Sequence, residues 1–364
     1  MISRRELINA AAVSAIAGSA LEARAPVMAN TGVPKICLEI GGGSLSAGTL
    51  DEAGMRRVKQ LGVDYVVMGG PKMPWTDADI KSRMDILKSG GLTLFNMMIG
   101  GFPRTLYGQP GRDEEIEKVK ESIRAAGRAG LPVIEYNFYA HRAVEGYYEE
   151  TGRAGAGLTA FDYARVKDLP PLEAEGAHSL DEMWQNVGYF LKAVVPVAEQ
   201  SNVRLALHPN DPPAPISRGS GQIMGTVEGW KKLVDIVKSP ANGITFDCGV
   251  TREMGQNPVE VARYFGERDC INHIHYRNVR VRTPYEQYTE VFIDEGQINV
   301  FAVMRELIRL KYSRTLYPEH PRALDYDRER AGFKPYYPGG GGYTGFAYNV
   351  GYAKAMLQAA TSVS

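Results

Sequence analysis

The chain has 364 residues, 44% of them apolar, with Lys+Arg and Asp+Glu at 42 each. That length and apolar content suit one large α/β domain, or two ordinary ones, around a buried core. The balanced charge leaves no electrostatic footprint for nucleic acid, which argues against a nuclease or a nucleic-acid-binding protein.

The chain opens with Ser3-Arg4-Arg5-Glu6-Leu7-Ile8, followed by a weakly apolar run from Asn9 to Leu21. A twin arginine ahead of a mild hydrophobic stretch resembles a bacterial twin-arginine export signal, with cleavage expected near Ala29. Residues 1–29 are therefore read as a leader and 30–364 as the catalytic domain, in a periplasmic or otherwise exported protein. The plainer alternative is an unstructured cytoplasmic N-terminus. No later run reaches the ~20 apolar residues of a membrane helix, so no membrane insertion is expected after the leader. Cys37, Cys248 and Cys270 are odd in number and widely spaced, which is no disulfide framework.

Beyond the leader, strand-like and helix-like segments alternate. Ile36–Ile40 reads as the first strand and 50–61 as its helix. Tyr65–Met68 is the second, followed by a helix over 77–89 that Thr76 or Asp77 caps. Leu92–Asn96 is the third, with a charged helix over 113–129. Val133-Ile134-Glu135-Tyr136-Asn137 is the fourth, and after a long gap a helix spans 180–200.

Four further apolar runs each end in a metal-type ligand. They read Leu205-Ala206-Leu207-His208, Ile244-Thr245-Phe246-Asp247-Cys248, Ile271-Asn272-His273-Ile274-His275 and Thr315-Leu316-Tyr317-Pro318-Glu319-His320, with helices over 227–237, 258–264, 300–310 and 346–358. Eight such pairs predict a single α/β domain, a (β/α)8 TIM barrel. An open doubly wound sheet is the alternative. Two segments break the rhythm, 138–179 and 322–343, and both are expected over the catalytic face.

Active sites of parallel barrels lie beyond the carboxyl ends of the strands, where these four ligands fall. Singly, each is more simply a hydrogen-bonded core residue. Together, His208, Asp247, His275 and Glu319 form a mixed nitrogen and oxygen set that suits Mn²⁺, Fe²⁺, Co²⁺ or Mg²⁺ better than a closed thiolate site. Adjacent strand residues face opposite ways, so Asp247 and Cys248 compete for one place, and the oxygen preference of hard ions favours Asp247. His273 can face inward as well, one layer deeper than His275.

For proton transfer, His320 adjoins a ligand and can donate or accept a proton near neutral pH. Tyr343 follows four glycines, on a loop able to carry it over a substrate. Arg277 and Asn278 suit a carboxylate and hydroxyls, and Tyr136 and Asn137 end strand four facing a substrate. The Gly41-Gly42-Gly43-Ser44 run matches no phosphate-loop fingerprint.

At these residues the chain resembles the mannonate dehydratases of the xylose-isomerase-like barrel superfamily. The resemblance rests on Tyr136-Asn137-Phe138, His208-Pro209-Asn210-Asp211-Pro212-Pro213, Arg277-Asn278-Val279, Val300-Phe301-Ala302-Val303-Met304, Pro318-Glu319-His320 and Gly342-Tyr343. It implies a metal-dependent hydro-lyase acting on a small sugar acid, D-mannonate, to give 2-keto-3-deoxy-D-gluconate and water. It also implies Mn²⁺ or a similar ion on His208, the residue at Asp247, His275 and Glu319, with acid–base work by His320 and Tyr343. The family usually carries Cys-Thr where this chain has Asp247-Cys248, and Pro-Asp-His-Gly where it has Pro318-Glu319-His320-Pro321. Those two changes lean towards sugar epimerases and isomerases. An isomerase, epimerase or keto-sugar lyase on the same barrel is therefore the first alternative, and an exported, non-catalytic sugar-binding protein the second. Assembly into a homo-oligomer is left open.

Overall fold

Short β-favouring runs without strict alternation must bury both strand faces, which a parallel sheet covered by helices allows. In the computed structural model, which describes residues 32–41, 50–140, 142 and 144–363, that sheet closes on itself. Its strands are β1 (Lys35–Glu39), β2 (Tyr65–Gly69), β3 (Thr93–Ile99), β4 (Val133–Tyr136), β5 (Arg204–Leu207), β6 (Asn242–Asp247), β7 (Ile271–His275) and β8 (Thr315–Tyr317). Sequence neighbours are barrel neighbours and every pair is parallel. β8 closes against β1 through Lys35↔Thr315 and Ile36↔Leu316. The expected (β/α)8 barrel is the fold observed.

Around it stand α1 (Glu52–Gln60), α2 (Asp77–Ser89), α3 (Arg112–Ala129), α4 (Leu180–Gln200), α5 (Val227–Ile236), α6 (Pro258–Gly266), α7 (Val300–Arg309) and α8 (Tyr343–Ser362). Local chemistry starts α2 and α4 where the sequence suggested, whereas α8 begins three residues before the expected 346. The Thr76 hydroxyl accepts the Asp79 N–H at 3.1 Å, and Ser179 with Glu182 forms a capping box at α4.

The barrel interior changes character along its axis. Tyr65, Phe95, Val133 and Ala206 plug the amino end with an apolar layer, whereas the carboxyl end is lined by polar side chains. Two bulges tune which side chains turn inward. β3 takes in an extra residue against β2 (Val66↔Leu94, then Val67↔Asn96), and β7 does so against β6 (Ile244↔Ile271, then Thr245↔His273). Beyond them Asn96, His273 and His275 all reach the interior.

The expected excursions after β4 and β8 are not bare loops, and a third, 276–299 after β7, was not anticipated. Tyr147–Thr151 and Gly157–Asp162 from the first pair with Gln287–Val291 and Asn278–Thr283 from the third, in one four-stranded antiparallel sheet. The excursion after β8 is tied in by the bridges Gly157↔Ala323 and Arg322↔Gly340. This woven cap covers the polar end of the barrel.

Residues 1–29, expected above to be a leader, and the glycines at 42 and 43 with Ser44 lie outside the described residues. No described helix is long and apolar enough to cross a membrane. All three cysteines are buried and free.

Candidate metal centre and active site

Each strand from β5 to β8 leads into a candidate ligand, at its last residue or one or two residues past it, where side chains point over the cavity. His208, Asp247 and His275 each place a donor atom within 4.8 Å of the others, all buried. Glu319 completes the set, with Oε2 3.0 Å from His275 Nδ1. Three of the four side chains chosen from the sequence thus meet in one place, and the fourth lies against His275.

Their partners aim them. His208 Nδ1 lies 2.8 Å from the Pro209 carbonyl, which fixes the proton on that nitrogen and turns the Nε2 lone pair towards His275 Nδ1, 3.1 Å away. Asp247 caps the short helix Cys248–Glu253, one carboxylate oxygen accepting the Val250 N–H at 2.9 Å while the other faces the centre. Cys248 instead points into the apolar core, and burial pushes its thiol well above the ordinary range. The competition at β6 is therefore resolved in geometry: Asp247 faces in and Cys248 faces out.

Glu135, one residue before the tyrosine chosen from the sequence, stands behind the imidazoles. Its oxygens accept from Asn96 Nδ2 at 2.8 Å and Thr245 Oγ1 at 2.7 Å, and lie 3.5 Å from His275 Nε2 and 3.9 Å from His273 Nε2. His273 does face inward one layer deeper, with Nδ1 2.8 Å from Thr315 Oγ1. The two histidines of β7 part company in charge. Burial drives His273 down to about 4. Burial acts on His275 too, but Glu319, Glu135 and Asp247 outweigh it and lift His275 to about 9. Glu39, partly exposed at the end of β1, is pushed up to about 7 by burial and by the charges of Glu319 and Glu135.

These residues fit a divalent cation. Six buried carboxylates (Glu135, Asp211, Asp247, Glu253, Glu290 and Glu319) share the space with two guanidiniums, Arg277 and Arg322. Glu319 Oε1 is buried and takes no hydrogen bond, meeting only the ion-pair approach of Arg277 Nε at 3.2 Å. Buried charge in such excess is costly unless another cation or bound protons offset it. At His275, whose proton affinity those carboxylates raise, a proton and a cation would compete for the same lone pair.

Several expected roles change. Arg277 is buried and already committed: it touches Asp211 at 2.9 Å, Asp247 at 3.2 Å, Glu253 at 2.6 Å and Glu319 at 3.2 Å. It binds the protein's own carboxylates, in space kept open by Gly249, where a Cβ would lie 2.5 Å from the guanidinium carbon. Asn278 is saturated by backbone, accepting from Val279 and Ile298 and donating to the Ile293 and Ile298 carbonyls, so it braces the cap. Tyr136 faces the helix layer, with its ring 5.6 Å from Phe190, because strand parity gives the inward place to Glu135. Asn137 shares Glu135's side of the chain, and its Oδ1 is buried without a partner.

Tyr343 is not brought to the centre. It begins α8, and its hydroxyl donates to the Arg57 carbonyl of α1, in the outer helix layer, at 3.0 Å. Tyr337, six residues earlier on the same excursion, is the tyrosine beside His320, with ring centroids 4.9 Å apart. Burial and the charges of Asp211, Glu290 and Glu319 push its phenol well up. His320 itself is in place: Nε2 lies 3.5 Å from Glu319 Oε2, and Nδ1 lies 2.9 Å from Glu290 Oε2. Sequence reasoning missed Glu290 because it arrives on the unanticipated excursion; the alternation Gln287-Tyr288-Thr289-Glu290-Val291 was the available signal.

Comparison with known proteins gives the chain a family and a fold. The family model of D-mannonate dehydratase (UxuA) matches residues 162–363, the stretch that carries all four candidate ligands. A mannonate dehydratase of Thermotoga petrophila is 28% identical over 330 residues, covering 79% of this chain and 90% of its own. The crystal structure of a mannonate dehydratase from Streptococcus suis serotype2 superposes with a TM-score of 0.79 at 25% identity, covering 91% of this chain and 94% of that one. A xylose isomerase domain protein from Planctomyces limnophilus shares the fold, with a TM-score of 0.56 at 13% identity over 90% of this chain and 97% of its own.

Proposed function

The chain belongs to the mannonate dehydratase family, and from that premise we propose that it is a metal-dependent hydro-lyase that converts D-mannonate to 2-keto-3-deoxy-D-gluconate and water. The observation that carries the reading is the convergence of His208, Asp247 and His275, with Glu319 against them, beside an oriented His320.

His208, Asp247, His275 and Glu319 would hold the metal, and their nitrogen and oxygen donors favour Mn²⁺ among the hard and borderline ions. When bound, a divalent ion supplies Lewis acidity towards the substrate's carboxylate and 2-hydroxyl, which makes the proton on C2 easier to remove. His320, with carboxylates near both ring nitrogens, has its proton affinity raised by Glu290 and Glu319 against the opposing effect of burial. Its Nε2 faces the centre, and we assign it donation of a proton to the departing 3-hydroxyl. Tyr337 takes the neighbouring proton-transfer position in place of Tyr343. The cap closes over this end of the barrel and keeps water away from the elimination. We also propose export, on the strength of Arg4-Arg5 ahead of the apolar run at 9–21.

The test is incubation of Mn²⁺-loaded protein with D-mannonate and a panel of other aldonic and uronic acids, read by mass spectrometry. Dehydration gives a product of D-mannonate lighter by one water. A rearranged product of unchanged mass makes the protein an isomerase or epimerase, and binding without any product makes it a sugar-binding protein.

A further inference from the structure

The cap sheet does more than cover the barrel, because one of its side chains enters the centre. Glu290 lies on the strand Gln287–Val291 and is 1% exposed. Its Oε2 lies 2.9 Å from His320 Nδ1 and accepts from Arg322 Nη2 at 2.8 Å. Arg322, also buried, donates to the His320 carbonyl through Nε at 3.0 Å and Nη2 at 2.8 Å. One guanidinium thus clamps both the carboxylate and the backbone of the residue that carboxylate orients.

His320 needs such a clamp. Its backbone sits at φ 47°, in the left-handed region that a side-chain-bearing residue adopts at a cost. The ring could swing about its side-chain bonds and present either nitrogen to the cavity. A carboxylate on Nδ1 settles the choice: Nδ1 keeps a proton and faces the cap, and Nε2 faces Glu319 and the centre.

We propose that Glu290, held by Arg322, is a positioning residue that acts through His320 and fixes Nε2 as the nitrogen that exchanges protons with the substrate. The proposal rests on the dehydratase reading for its chemistry but not for its geometry. The structure also offers a rival role, since donor atoms of Asp211, Glu290 and His320 lie within 4.8 Å of one another and could hold a second cation. Two guanidiniums already on those carboxylates, Arg277 on Asp211 and Arg322 on Glu290, argue for the hydrogen-bonded pair instead.

The test uses full-length Glu290→Gln, His320→Asn and the double variant. With D-mannonate, Glu290→Gln should keep KM and metal content and lose about 10²-fold in kcat, in the range of a mispositioned general acid or base. In the His320→Asn background the same change should cost almost nothing, because the two residues act as a unit. A structural role would instead give an additive loss.

A second readout needs no substrate. In ¹⁵N NMR of histidine-labelled, Mg²⁺-loaded protein, the His320 Nδ1 proton should be strongly hydrogen-bonded in the wild type and should lose that signature in Glu290→Gln. If mannonate is not turned over but the NMR change occurs, the dehydratase reading fails and the positioning role stands. An unchanged Nδ1 signal, additive kinetics, or a second metal equivalent that Glu290→Gln removes would overturn the proposal.

Discussion

Strands β5 to β8 lead into His208, Asp247, His275 and Glu319, whereas β3 and β4, on the other side of the same cavity, bring Asn96 and Glu135. Three of the first set converge on one point, and Glu319 joins them through His275. The second reaches it only through other side chains, since Asn96 holds Glu135 and Glu135 stands behind His275 and His273. Around one barrel, four strands offer candidate ligands, while β3 and β4 help to orient them. The difference shows that position at a strand end does not by itself make a residue a ligand; what its neighbours leave free decides. Glu135 is occupied by Asn96 and Thr245, while Glu319 keeps a buried oxygen without a hydrogen bond.

That division can be broken from the orienting side. Glu135→Gln removes the charge behind His275 but keeps the shape and two hydrogen-bonding atoms. It should weaken metal binding by about 10–100-fold, the usual cost of losing a partner behind a metal-ligating histidine, without unfolding the protein. Titration of the metal-free variant by calorimetry reads this directly. Unchanged affinity would mean that the first half of the barrel is only scaffold.

A smaller effect sharpens the same contrast at the outer layer. Tyr343→Phe removes a hydrogen bond to the Arg57 carbonyl, so it should cost about 0.5–1.5 kcal/mol in chemical denaturation. Turnover should stay at the wild-type level. A fall of about 10²-fold or more would show that Tyr343 leaves Arg57 and does acid–base work.

Much of this was legible before any coordinates. Apolar runs ending in His, Asp or Glu, separated by helical segments, marked both the barrel and its carboxyl end. The adjacent pair Asp247 and Cys248 could be separated by strand parity. Parity also explains the failure at Tyr136, which faces the helix layer while its neighbours Glu135 and Asn137 share the other side. The inward residue is Glu135, which looked like an ordinary strand carboxylate.

The cap was illegible for a different reason. Its register pairs Gln287 with Asp162 and Tyr147 with Phe161, so the sheet is assembled from two excursions that local pattern cannot connect. With the cap went Glu290, and with it the partner of His320. Tyr337 was missed because the four glycines drew attention to the tyrosine after them rather than the one before.

The central claim is that a divalent ion is held by four side chains from β5 to β8, with Asp247 taking the β6 place. Metal content of purified Asp247→Ala and Cys248→Ser, measured side by side with the wild type by elemental mass spectrometry, tests it most directly. Asp247 lies among the donors and Cys248 in the apolar core. Asp247→Ala should therefore fold with little bound metal, and Cys248→Ser should retain the wild-type content. The reverse pattern, metal lost with the thiol and kept without the carboxylate, would contradict the account.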